Sequence, residues 1–484
     1  MQAQMDIVKL NRIVAERLRG DGASQLVIDT FLRHVEKLVM GDNGLISEST
    51  IAPPAQIPDA QAAEPFRDAG RQALKHAVMI KLNGGLGTSM GLNKAKSLIP
   101  VKNGRTFLDI IVGQVKHLRE QTGTSLPLLL MNSFSTHNDT LEALDHHASL
   151  VAGQRGIPLF FMQNRVPKLL RETLEPATWS ADPTQEWCPP GHGDIYTALV
   201  TSHLLDQLLA QGFEYAFVSN ADNLGATLDL DLLGFFAAHR MPFMMEVTDR
   251  TEADKKGGHL AVHHQGHLLL RESAQCPEQE MEAFQDIAKY RYFNTNNLWL
   301  NLRALRDKLA ECGNILDLSL IINRKTVDPR DPSSPSVHQL ETAMGSAISL
   351  FPDAGAIRVP RSRFAPVKTT NDLLTLWSDA YRLTPESHMV LHPERHNVPP
   401  LVSLDPLHYR SLDKLLERFP QGAPSLLKCE SLSIKGDIRF GKDVAIKGQV
   451  ALVNSSQAPA VVQDAAALHG RGASIEVGLP DSAV

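Results

Sequence analysis

Between Lys81 and Ser97 the chain reads KLNGGLGTSMGLNKAKS, directly after the apolar run HAVMI. Gly84, Gly85, Gly87 and Gly91 let the backbone approach a ligand closely, and successive N–H groups in such a loop can form an anion-binding nest. Asn83 and Thr88 add polar surface, and Lys94 and Lys96 follow where an ammonium can reach phosphate oxygens. No Gly-Lys-Ser/Thr closes the run, so it is not a P-loop. Gly85 and Gly87 are followed by Gly91, one residue too late for a dinucleotide fingerprint. The spacing predicts a phosphate site at the end of a buried strand, against the plainer reading of a flexible strand-to-helix turn.

Other clusters fall at comparable places. In WCPPGHGDIYTAL, Gly191 and Gly193 expose backbone around His192, and a helix starting near Asp194 would turn its N–H groups toward an anion. A rigid turn with a solvent-facing histidine fits those residues equally well. In YAFVSNADNLGA, Asp222 lies just beyond an apolar run, a suitable place for a carboxylate that holds Mg²⁺ against phosphates. Asn220 and Asn223 could bind a ribose or sugar there, or close an Asx-turn. YFNTNNLWLNL offers Asn294, Asn296 and Asn297 to sugar hydroxyls, and DKKGGHL places Lys255 and Lys256 in a mobile cationic loop. In RFAPVKTTNDLL, Lys368 precedes a helix cap expected at Thr370 or Asn371; alone it reads as a surface lysine. The pairs His146-His147 and His263-His264 lack metal-ligand spacing and are expected at the surface.

Several elements must position these residues. HAVMIKL, LPLLLMNS, IPLFFMQN and YAFVSNADN are apolar runs that turn polar at their carboxyl ends, which predicts parallel strands buried on both faces. Ligands bind outside the carboxyl ends of such strands. Two amphipathic helices are expected in the first ~40 residues, one burying Leu10, Val14 and Leu18, the next Val27, Phe31 and Val35. Ala52–Pro65 reads as an extended connector. After HMVLHPERHNVPPL, apolar pairs recur at Leu432/Ile434, Ile438/Phe440, Val444/Ile446 and Val450/Leu452, a six-residue period typical of parallel β-helix coils. The expected domains are 1–75 (helical region and connector), 76–385 (catalytic) and 386–484 (β-helix, whose open end is a candidate homo-oligomer surface).

With 484 residues the chain exceeds one compact core, and a net charge of −6 argues against a protein that coats nucleic acid. Cys188, Cys276, Cys312 and Cys429 are widely spaced, which excludes a zinc ribbon and suits a reducing compartment. The start carries charges throughout, and no run nears the ~18 apolar residues of a membrane span, so a soluble cytoplasmic protein is expected.

KLNGGLGTSMG, QNRVPKL, PPGHGD, VSNADNLGA, NTNNLWLNL and RFAPVKTTNDLL together resemble the successive signatures of the UTP–glucose-1-phosphate uridylyltransferase family of the eukaryotic type. The resemblance runs in order from about residue 45 to the six-residue repeats. It implies a Rossmann-like, GT-A-like nucleotidyltransferase with a mixed sheet, a helical N-terminal part and a C-terminal left-handed parallel β-helix. It implies UTP, glucose 1-phosphate, UDP-glucose and diphosphate as reactants, with Mg²⁺ as cofactor and Asp222 as its ligand. Leu82, Asn83, Gly84, Gly85, Lys96, Gln163, Gly191, Asn220, Ala221 and Asp222 would hold UTP, and His192, Lys256, Asn296, Asn297 and Lys368 the sugar phosphate. Lys96 and Lys368 match the family's catalytic lysines. Many members read Gly-Pro-Lys-Ser where this chain has Lys94-Ala95-Lys96-Ser97, so Lys94 could share the task of Lys96. Ser89 stands where N-acetylhexosamine-specific relatives carry arginine, which sets that alternative behind glucose; a broad UDP-sugar pyrophosphorylase and a non-catalytic nucleotide sensor are the remaining ones.

Overall fold

A computed structural model describes residues 7–477 of the chain. Its centre is a ten-stranded mixed sheet. Strand Ala77–Asn83 lies in the middle, parallel to Tyr215–Asn220 on one side and Leu128–Asn132 on the other, with Phe160–Met162 parallel beyond. Strand Tyr292–Asn301 adds antiparallel to Tyr215–Asn220 and carries Phe243–Asp249 and His259–His263 as further antiparallel neighbours. All seven residues of the central strand are buried, yet they divide by face. Met79 packs in one apolar layer with Leu128, Leu130, Phe217 and Trp299; Val78 and Ile80 pack in the other with Leu129, Met131 and Val218. Helices cover both layers: Phe107–Thr122, Leu230–Ala238 and Thr370–Trp377 on the first, Ile195–Thr201, Leu204–Ala210 and Leu302–Glu311 on the second. A sheet covered on both faces favours apolar side chains at successive positions, which is why these runs show little alternation.

The N-terminal helices Ile7–Gly20 and Gln25–Val39 form as expected, the second capped by Ser24. Leu10, Val14, Leu18, Phe31 and Val35 bury together against Val166, Leu169, Cys188 and Leu340 of the main body. Arg17 pairs with Glu186 and Asp21 with Arg165 across the same seam. The connector departs from the expected extended form in its second half, where Asp59 caps a 3₁₀ helix over Ala60–Phe66. Of the paired histidines, His147 is only part-exposed and contacts Asp109 at 2.8 Å, while His264 is exposed.

Beyond residue 400, strands Leu401–Leu404, Ser425–Lys435, Ala445–Val453 and Ala467–Glu476 stack in parallel, and Ile438–Phe440 pairs in parallel with Ala460–Val462. Leu432 lies beside Val450 and Ile434 beside Leu452, three six-residue steps apart. Every residue of the repeating apolar pairs is buried. A further strand forms over Ala467–Glu476, while residues 478–484 lie outside the described residues. The apolar cluster of the first sheet face continues without a break into these strands through Leu404, Tyr409, Leu415 and Phe419. Among the described residues no helix is long and apolar enough to cross a membrane.

Candidate active site

Parallel pairing brings the strand ends abreast: Asn220 beside Leu82, Asn83 beside Asn132, and Asn132 beside Met162. The glycine loop leaves this row and folds back on itself, with Gly87 N donating to Lys94 O at 3.4 Å and Lys96 N to Gly85 O at 3.1 Å. A Cβ at Gly84 would fall 2.6 Å from Gln163 Oε1, so a side chain there would displace the glutamine. Gln163 Nε2 donates to Gly191 O at 2.8 Å, which joins the first loop to the PPGHGD turn. The Asn83 amide turns inward to Asn132 Oδ1 at 2.8 Å and Thr140 Oγ1 at 2.9 Å, so its side chain does not add the polar surface expected of it.

The PPGHGD turn is shaped by close approach to Thr342. Gly191 has φ +80°, and a Cβ on it would lie 2.5 Å from Thr342 O. The helix expected near Asp194 forms as the short helix Ile195–Thr201, entered through a 3₁₀ turn at His192–Asp194. His192 Nδ1 accepts from Met344 N at 2.9 Å, and burial pushes the imidazole down to about 4. The ring is therefore neutral near pH 7 with its proton on Nε2. Asp194 accepts from Asn164 N at 2.7 Å and from Asn164 Nδ2 at 3.0 Å, bracing the residue after Gln163; burial pushes this carboxyl up to about 7.

At the centre of the row, Lys96 Nζ lies 2.5 Å from Asp222 Oδ2. The other carboxylate oxygen, Asp222 Oδ1, is buried without a donor among the described residues. Ala221 N donates to Leu82 O at 3.1 Å and Val367 N to Asp222 O at 3.3 Å, so main-chain bonds hold the aspartate between the glycine-loop strand and the segment leading to Lys368. Lys368 is exposed, with Nζ 6.0 Å from the Phe293 ring centre. The helix after it is capped by Thr369 with Asp372, one residue earlier than expected. Lys94 is exposed and points its carbonyl, not a side-chain partner, into the loop bonding.

A β-bulge separates the three asparagines. Asn297 sits opposite Glu246 and Asn294 opposite Val247, leaving Thr295 and Asn296 outside the ladder. Asn296, at φ +56°, is part-exposed and exchanges hydrogen bonds of 2.9 Å with Asn294. Asn297 is corrected: it is fully buried and donates to Glu246 Oε2 at 3.0 Å, so its amide is not offered at the surface to sugar hydroxyls. Lys256 is exposed in its loop, whereas Lys255 pairs with Glu252 at 2.7 Å.

Two charged groups in this region carried no sequence signal. Lys81 is fully buried beneath the cleft, bonded to Ser219 Oγ at 2.7 Å and Ala226 O at 2.6 Å, and burial lowers its ammonium to about 7. Its place inside an apolar strand hid it. Glu272 approaches the 257–258 loop so closely that a Cβ on Gly258 would lie 2.6 Å from its carboxylate. Burial raises the Glu272 carboxyl, with the Lys368 charge and an Asn294 hydrogen bond opposing.

Fold and site together define an α/β protein with a glycine loop, Lys96 and one half-paired carboxylate at the carboxyl ends of parallel strands, where sheets of this kind bind their ligands. The family model described as UTP–glucose-1-phosphate uridylyltransferase matches residues 28–447. A protein of that name from Solanum tuberosum is 39% identical over 474 residues, covering 96% of each chain. One from Saccharomyces cerevisiae is 43% identical over 383 residues, 79% of this chain and 74% of its own. The crystal structure of a UDP-glucose phosphorylase from Trypanosoma brucei superposes with a TM-score of 0.91 at 44% identity, covering 97% of this chain and all of that one. A substituted UDP-glucose pyrophosphorylase from Leishmania major, in complex with UDP-glucose, also gives 0.91, at 42% identity and covering 96% and 99% of the two chains. The chain belongs to the UTP–glucose-1-phosphate uridylyltransferase family.

Proposed function

We propose that the chain transfers the uridylyl group of UTP to α-D-glucose 1-phosphate, giving UDP-glucose and diphosphate. The observation that carries this reading is the Lys96–Asp222 contact of 2.5 Å at the strand ends, flanked by the glycine loop and the Lys368 segment. The backbone of Leu82–Gly85 receives the triphosphate with Lys96, Gln163 and Gly191 meet the uracil, and Asn220 and Ala221 hold the nucleotide from the far side. His192, Lys256, Asn296 and Lys368 receive the sugar phosphate, and Asn294 and Glu272 extend that surface toward the hydroxyls.

A phosphate oxygen of glucose 1-phosphate attacks the α-phosphorus of UTP; the bond from that phosphorus to the bridging oxygen breaks, and diphosphate leaves with the electron pair. The nucleophile is already ionised at neutral pH, so no general base is required. Both reactants are anionic, which makes repulsion and alignment the catalytic problem. Lys96 and Lys368 stabilise charge on the phosphoryl oxygens, and neutral His192 donates from Nε2 without adding a charge. The donor set fits Mg²⁺: the unpartnered Asp222 Oδ1 supplies one hard oxygen, and this ion takes one or two carboxylates plus substrate phosphates. When bound, it would neutralise phosphate charge beside Lys96.

The reading extends to architecture: a GT-A-like nucleotidyltransferase over 76–385 and a left-handed parallel β-helix over 386–484, with 1–75 as the helical approach. The parallel ladders with partners eighteen residues apart, Leu432 on Val450, support the β-helix. Its open end is a candidate surface for a second copy, and a cytoplasmic site of action fits the free cysteines.

The test is diphosphate release from UTP and Mg²⁺ with glucose 1-phosphate, N-acetylglucosamine 1-phosphate or galactose 1-phosphate. A strong preference for glucose 1-phosphate is expected. Release with another sugar alone would move the specificity, and release with none would overturn the reading.

A further inference from the structure

Beneath the cleft lies a set of buried polar groups that the chemistry above does not use. Glu246 is fully buried and accepts from Arg363 Nε at 2.8 Å, Arg363 Nη2 at 2.7 Å, Trp299 Nε1 at 2.9 Å and Asn297 Nδ2 at 3.0 Å. Arg363 Nη2 also donates to Thr227 O at 2.9 Å. These groups converge on Asn223, which is 1% exposed. Its Nδ2 donates to Arg363 O at 3.1 Å and Asn297 Oδ1 at 3.2 Å. Its Oδ1 accepts from Gly225 N at 3.2 Å and Ala365 N at 3.0 Å. Both donors and both lone pairs of the amide are occupied.

The residue before Asn223 is Asp222, and the segment it grips, 363–365, leads directly to Lys368. The main chain repeats the tie through a bridge between Asn223 and Pro366. We propose that Asn223, braced by the Glu246–Arg363 pair, is a positioning residue that fixes Asp222 relative to Lys368 for uridylyl transfer. The proposal rests on the roles assigned to those two residues above. Apolar packing would hold the strands together but is non-directional, whereas amide and bidentate guanidinium bonds set the relative placement of two loops. A buried network of this kind is stable because each bonded group has its partner.

A double-mutant cycle in the full chain tests it, with diphosphate release and Tm measured for wild type, Asn223→Ala, Lys368→Ala and the double variant. Asn223→Ala is expected to lower kcat about 10- to 100-fold, the scale of a ~1 Å misplacement. In the Lys368→Ala background the same change should lower kcat less than about twofold, while the Tm decrease is the same in both backgrounds. A merely structural role would give equal kcat losses in both backgrounds, which would overturn the proposal. So would a Lys368→Ala protein with wild-type kcat, because the distance being held would then have no chemical consequence. A wild-type chain inactive with UTP and every sugar phosphate overturns the functional reading itself, and the proposal with it. Should Asn223→Ala not fold, Asn297→Ser removes one of its partners and enters the same cycle, with the same pattern expected at smaller size.

Discussion

Lys94 and Lys96 are two residues apart and chemically identical, yet the structure gives them different work. Lys96 contacts Asp222 at 2.5 Å, while Lys94 is exposed and serves the loop through its carbonyl. Lys96→Ala should therefore lower kcat about 100- to 1,000-fold, the scale of losing one donor aimed at developing charge. Lys94→Ala should lower it by less than about threefold, since an exposed charge is screened by water and salt. Steady-state kinetics of the two variants checks this, and comparable losses would mean that the ammonium groups share the phosphate. Residue types and spacing made the glycine-lysine loop legible, but they could not rank its lysines. Ranking needs Asp222, which arrives from another strand, and strand pairing is non-local. The same limit applies to Asn296 and Asn297: adjacent in sequence, they are parted by a bulge that turns one outward and buries the other against Glu246.

Turns that join the elements carry their own constraint, clearest at Gly191. A φ of +80° and a Cβ position 2.5 Å from Thr342 O make any other residue strained there. Gly191→Ala is expected to cost about 1–3 kcal/mol of stability. Because Gly191 O receives Gln163 Nε2 at 2.8 Å, the same change should raise the KM for UTP more than it alters kcat. Thermal melts with UTP titrations test both halves, and an unchanged KM would detach this turn from the nucleotide. The central strands, the N-terminal helices and the six-residue repeats were all readable, because each is written locally, as an unbroken apolar run, a helical period or a six-residue period. The shape of the turn before the helix Ile195–Thr201 was not readable, because it depends on Thr342 and Met344, far along the chain.

Across the whole molecule, buried titratable groups set the response to acid. Burial holds His34 at about 4, His192 at about 4 and His259 at about 3, against 6.5 for a free imidazole. The unfolded chain takes up these protons below 6.5 and the folded chain does not, so the three histidines withdraw stability as pH falls from 6.5 toward 4. Asp194 acts in the opposite sense: raised from 3.8 to about 7, it keeps a proton in the folded chain that the unfolded chain releases, so its contribution grows as pH falls. Three groups outweigh one, and Tm is expected to decline between pH ~6.5 and ~4.5. His34→Gln should flatten that decline and Asp194→Asn should steepen it. Melting curves across the range decide the matter; a His34→Gln slope equal to wild type would show that this imidazole does not stay neutral.

By itself the sequence determined what could be written locally: the glycine loop, the acid after an apolar strand, the helix faces, the six-residue repeat and the family signatures. Tertiary structure alone decided which groups meet. It set Lys96 on Asp222, left Asp222 Oδ1 unpaired, turned Asn297 inward, and brought Lys81, Glu272 and the Asn223–Arg363–Glu246 network under and around the cleft. Those contacts join residues far apart in the chain, and their geometry comes from register and packing, which no local pattern of residue types encodes.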